Sequence, residues 1–147
     1  MTIQDLQQLN SIYLTNIQNG FDNYNHKILQ LNYQDAYSYF KTLCENYGFE
    51  NSYVDFYYYT FDSEIKNKIN AILSDEELLY LQKNSPALIN NTDEPICTQL
   101  IFPIDNMLLQ IICKLNATAI LFSTLYFTGD SPCTYWGNYN SEYIYFY

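Results

Sequence analysis

The chain contains no arginine; its six cationic side chains are all lysines, joined by a single histidine, His26. Sixteen acidic residues stand against them, which gives a formal charge of −10 at pH 7. Holding phosphates takes clustered Lys and Arg, so direct nucleic-acid binding is not an expected function. Anionic membrane surfaces are disfavoured on the same ground. Charged residues of both signs make up only 15% of the chain, so Asn, Gln, Ser, Thr and tyrosine hydroxyls must supply much of the polar surface.

Other absences narrow the chemistry. Four glycines in the whole chain leave little room for a phosphate-cradling loop. Cys44, Cys97, Cys113 and Cys133 show no CxxC spacing and no adjacent histidine, a pattern that points away from zinc and toward reduced thiols. Asp22-Asn23-Tyr24-Asn25 lacks the spacing of a calcium loop. No metal and no cofactor are therefore expected. Any imidazole chemistry would fall to His26, which lies in the polar run Asn23–Lys27 and reads as a surface residue. The start, Met1-Thr2-Ile3-Gln4-Asp5, has neither a basic region nor an apolar run, so no signal peptide and a cytoplasmic location are expected. The most apolar stretch, 107–127, is interrupted by Gln110, Lys114 and Asn116, which argues against a membrane span.

What is present is aromatic and apolar. Hydrophobic residues make up 48% of 147 residues, with seventeen tyrosines and nine phenylalanines, enough for one well-filled core. Nothing divides the chain, so 1–147 reads as a single domain. Thr2 and Asp5 open a first helix whose apolar residues Ile3, Leu6, Leu9, Tyr13 and Ile17 run to a stop at Gly20. The segment 21–27 then reads as a loop. Asn32 caps a second helix with Tyr33, Ala36, Tyr37, Phe40, Leu43, Cys44 and Tyr47 on one face, ended by Gly48. Residues 53–60 read as a strand. Asp62 or Ser63 opens a helix, and Ser74-Asp75-Glu76-Glu77 is a capping box opening another. An exposed loop spans 84–95, and 96–102 is a candidate strand. Asp105 caps either a helix or a further apolar strand, 118–127 reads as a central strand, and 134–136 and 143–147 complete a meander after a turn at 128–132.

Charge is uneven along this plan. Residues 106–147 carry only Asp130, Glu142 and Lys114, so fourteen of the acids lie in the first 105 residues. The fold class that follows is α+β: N-terminal helices packed on a mainly antiparallel sheet formed largely by the C-terminal half.

No motif specifies a reaction, and a catalytic role is not expected. The acidic, tyrosine-rich profile instead suggests a small cytosolic protein that neutralises a basic partner by direct occlusion. Its most concrete form is a bacterial immunity protein against a nuclease-type toxin, whose basic substrate groove would accept such a surface. The candidate contacts are the carboxylates Asp62, Glu64, Asp75, Glu76, Glu77, Asp93 and Glu94, with Tyr57, Tyr59, Trp136 and Tyr139 as aromatic anchors and Tyr143 beside them. The alternatives are a hydrolase of unrecognised type, which would need a cleft holding a perturbed carboxylate or thiol, and a structural subunit of a homo-oligomer.

Overall fold

The computed structural model describes residues 1–87 and 99–147. Among these residues it shows an α+β fold with six helices and one six-stranded antiparallel sheet, with four of the strands drawn from the C-terminal half. The helices are α1 (Ile3–Gln8), α2 (Ile17–Asn23), α3 (Tyr33–Tyr47), α4 (Ser63–Asn70), α5 (Asp75–Lys83) and α6 (Asn106–Ala117). The strands are β1 (His26–Gln30), β2 (Ser52–Asp55), β3 (Ile101–Pro103), β4 (Thr124–Phe127), β5 (Cys133–Asn138) and β6 (Glu142–Phe146), in the order β1-β6-β5-β4-β2-β3. β4 to β6 form the expected meander; the β5–β6 hairpin turns through Asn140 and Ser141, both at positive φ, as a type I′ connection needs.

The register assigns the two faces. On one, Val54, Leu125, Tyr135 and Tyr145 line up across four strands, with Phe127, Cys133 and Tyr143 in neighbouring rows. This face carries the main core, closed by Phe40 and Cys44 of α3, Leu81 of α5 and Leu109, Ile112 and Cys113 of α6. On the other face Tyr126 packs with Leu6 and Tyr13, while Ile144 and Phe146 pack with Ile12, Leu14 and Ile17. The first twenty-odd residues therefore form a second layer behind the sheet.

Local chemistry explains where elements stop. Asn32, Asp62, Ser74 and Asp105 each cap a helix by accepting from the backbone N–H three residues on. The 105–117 segment is thereby a helix and not a strand. α3 runs from its cap to Gly48 at φ 90, matching the sequence reading.

Several expectations fail for identifiable reasons. The first helix ends at Gln8, because Asn10 adopts φ 54 and donates its side chain to the Gly129 carbonyl at 2.6 Å. The chain then leaves regular structure, burying Ile12 and Leu14 in alternation, and Thr134 Oγ1 donates to the Ile12 carbonyl at 2.6 Å. Gly20 is not a stop but lies inside α2, where a Cβ would sit 2.6 Å from the Phe146 ring. Residues 21–27 are no loop; they finish α2 and enter β1, an edge strand too exposed to show strand alternation in its sequence.

β2 stops at Asp55 rather than running to Thr60, and Tyr58–Thr60 form a 3₁₀ turn. β4 begins only at Thr124, because Ala119 at φ 55 turns the chain after α6 and Leu121 enters the core out of the sheet. β3 starts at Ile101; the portion of its expected strand at 96–98 lies outside the described residues, as does most of the expected loop.

Candidate functional site

α4 and α5 carry the described acids expected to meet a partner. Asp62 uses Oδ1 to cap α4, accepting from Ile65 N at 3.0 Å, and stays exposed. Glu64 is exposed and pairs with Lys68 at 3.3 Å, an i,i+4 pair worth little in water. Asp75 and Glu76 are exposed in the first turn of α5, where negative charge complements the helix dipole.

Glu77 corrects the expectation. Its side chain is 1% exposed and belongs to the interior. Lys114 of α6 donates to both of its carboxylate oxygens at 2.7 Å, Gln110 Nε2 donates to Oε1 at 2.9 Å, and Ser74 N donates to Oε2 at 2.8 Å. Burial alone would raise the pKa of this carboxyl, but the lysine and these hydrogen bonds outweigh it and hold the pKa below the ordinary glutamate value. Glu77 ties α5 to α6 and is closed to a partner. The capping box already pointed this way, since its third-position glutamate turns back toward the helix start. A lone lysine on the apolar α6 was the second sign. Asp93 and Glu94 lie outside the described residues.

The aromatic candidates separate. Tyr59 is half-buried; its hydroxyl donates to the Leu81 carbonyl at 2.8 Å and its ring lies 5.7 Å from Phe102. Tyr57 is exposed near Asp55 and Tyr13, behind the sheet. Trp136 is half-buried against the Ile144–Phe146 cluster. Tyr139 is 62% exposed at the β5–β6 hairpin, edge-on to Phe122. Tyr143 is buried in the main core and is no contact residue. The expected residues thus do not share one face.

Sequence reasoning missed a groove between the 3₁₀ turn at Tyr58–Thr60, α4 and α5. It has a volume of about 730 Å³ and is walled by Tyr58, Tyr59, Leu78, Leu79 and Leu81, with Lys66, Asn70, Asp75 and Gln82 supplying polar groups. Leu79 is 49% exposed on this wall. Tyr58 is held by its hydroxyl, which donates to Asn70 Oδ1 at 2.8 Å, and Lys66 Nζ lies 5.6 Å from the centre of its ring. Of the expected residues, Tyr59 and Asp75 line this groove, and Glu76 follows Asp75 on α5. The Tyr57-Tyr58-Tyr59 run was the available signal, but reading it as a strand placed alternate rings on opposite faces.

One carboxyl is strongly perturbed. Asp55, at the end of β2, is buried, and burial pushes its pKa up to about 6 despite the hydrogen bonds it accepts. Oδ1 accepts Thr124 N at 2.6 Å and Oδ2 accepts the Tyr126 hydroxyl at 3.5 Å. The carboxylate stands in for the strand partner that β2 no longer offers β4. It does not line the groove at α4–α5. Cys44, Cys113 and Cys133 are free and buried; burial raises their thiols, to about 11 for Cys44 and about 12 for Cys113, which makes them poor nucleophiles.

Among the described residues no group of three or more His, Cys, Asp or Glu is placed to hold a metal ion, and no helix is long and apolar enough to cross a membrane. No family model, curated protein or solved structure matches this chain.

Proposed function

We propose that the chain is a small acidic binding protein of the cytosol that neutralises a basic protein by occluding its working surface. Its most concrete form is a bacterial immunity protein against a nuclease-type toxin. The observation that carries this reading is the groove at α4–α5: an open, tyrosine-walled channel with Asp75 on its lining, on a chain of charge −10.

The chemistry follows from those residues. Field lines from the acidic chain steer a cationic partner to it, and Asp75 and Glu76 receive its Lys or Arg at the rim of the groove. Tyr58, Tyr59 and Leu79 supply desolvated contact area of the kind that concentrates binding energy. Lys66 occupies the Tyr58 ring face in the free protein, a position that a partner's guanidinium would take over. The free thiols at Cys44, Cys113 and Cys133 fit a reducing compartment.

The test is recovery of the tagged protein from its own host at low and high salt, with the bound material identified by mass spectrometry. A stoichiometric basic protein that salt releases, and whose activity the purified chain inhibits, is the expected result. Recovery of the chain alone, or with a partner that salt does not loosen, contradicts the proposal.

A further inference from the structure

The two edges of the sheet are not alike. β3 is three residues long and ends in Pro103, which has no N–H to offer. β1 is five residues long, contains no proline, and among the described residues pairs only with β6. Asn25 and Tyr147 exchange both backbone hydrogen bonds, and Leu31 N donates to the Ser141 carbonyl. Antiparallel ladders alternate, so Lys27 and Leu29 also face β6 while the N–H and C=O of His26, Ile28 and Gln30 point outward. Ile28 is 60% exposed and continues an apolar row with Ile144 and Trp136.

We propose that β1 is the seam of a twofold homodimer, in which two copies pair β1 antiparallel with Ile28 opposite Ile28. This register is self-complementary. His26 meets Gln30 of the second copy, Lys27 meets Leu29, and each outward pair exchanges two hydrogen bonds. The apolar row becomes continuous across the seam, from Trp136, Ile144 and Ile28 of one copy into the same residues of the other.

Charge selects a second copy as the occupant. Two chains of −10 repel at long range, and residues 23–34 are a stretch with no acid and with both Lys27 and His26. Copies meeting here avoid their own acidic surface, and no like charges stand directly opposite. In that register, moreover, His26, whose ring packs beside Phe21, shares a cross-strand row with Gln30 of the second copy and, one strand further in, its Glu142. A basic partner has no such reason to choose this edge. The seam is also separate from the proposed partner site, because Tyr59 packs on Phe102 of β3 at the opposite edge. The dimer therefore stands or falls independently of the neutraliser reading.

Sedimentation velocity between about 10 µM and about 1 mM reads the equilibrium directly. The expected result is a concentration-dependent dimer that tightens as salt screens the net repulsion. Ile28→Lys and Ile28→Glu should each weaken it about tenfold or more, because like charges then stand opposite across the seam. An equimolar mixture of the two variants should regain a heterodimer. Both substitutions sit on an exposed side chain, and urea midpoints matching wild type at dilutions where all three are monomeric confirm that each variant folds. A monomer throughout the range, a dimer indifferent to Ile28, a mixture that does not recombine, or a dimer loosened by salt would each overturn the proposal.

Discussion

Replacing Asp55 by asparagine should stabilise the protein, and the gain should grow with pH. The carboxyl titrates at about 6 in the fold against 3.8 for the ordinary group, because burial disfavours its charge. A raised folded-state pKa means that the folded protein holds the proton more tightly than the unfolded chain. The stabilising contribution is complete below pH 3.8 and is lost as pH rises through 6. A difference of about 2 units at 1.36 kcal/mol per unit amounts to about 3 kcal/mol. Roughly half of that, about 1.4 kcal/mol, is lost between pH 5 and pH 8, a window clear of the isoelectric region.

Asparagine cannot ionise, keeps an oxygen for Thr124 N, and can turn its amide toward the Tyr126 hydroxyl. Urea unfolding of both proteins at several pH values measures the difference, in which all other titrations cancel. The expected advantage at pH 8 corresponds to a midpoint shift of about 1–3 M. An advantage that does not change with pH, or a variant less stable than wild type at pH 8, would refute the reasoning. It would mean that the charged hydrogen bond to Thr124 outweighs the cost of burying the carboxylate.

Two further substitutions test the packing, and one tests the groove. Glu77→Gln should cost about 2–4 kcal/mol by urea unfolding, since it leaves the Lys114 ammonium without its counter-charge, and Lys114→Met in the same background should recover part of the loss. Gly20→Ala should destabilise by about 1–2 kcal/mol where helix propensity alone would gain about 1, because the added Cβ meets the Phe146 ring; Phe146→Leu should relieve the variant. Lys66→Ala should strengthen binding of the cationic partner several-fold in titration calorimetry by freeing the Tyr58 ring and removing a like charge.

The parts of the fold legible in the sequence are those decided by neighbours in sequence. The caps at Asn32, Asp62 and Ser74 bond to groups three residues away, so their helices could be read directly, whereas the apolar run after Asp105 fitted a strand as well as the helix it forms. The illegible parts depend on distant contacts. Asn10 is turned by Gly129, Gly20 is claimed by Phe146, and β2 is cut short where Asp55 serves Thr124.

The same division governs the site. Asp75 and Glu76 were readable as an exposed first turn, whereas the interior fate of Glu77 depended on Lys114, thirty-seven residues on. The groove combines three separate segments, so the Tyr58-Tyr59 pair carried no sign of it beyond its composition.

The most direct measurement of the central claim is the association rate with the basic partner for wild type and for the double variant Asp75→Lys/Glu76→Lys, at low and physiological salt. Both residues are exposed, so the reversal leaves the core packing untouched and its cost to the fold is confined to the favourable first-turn charge of α5. Electrostatic capture at this face predicts an on-rate reduced about tenfold or more at low salt, with the gap narrowing as salt rises. An on-rate that the double reversal leaves unchanged would contradict capture through the α4–α5 face.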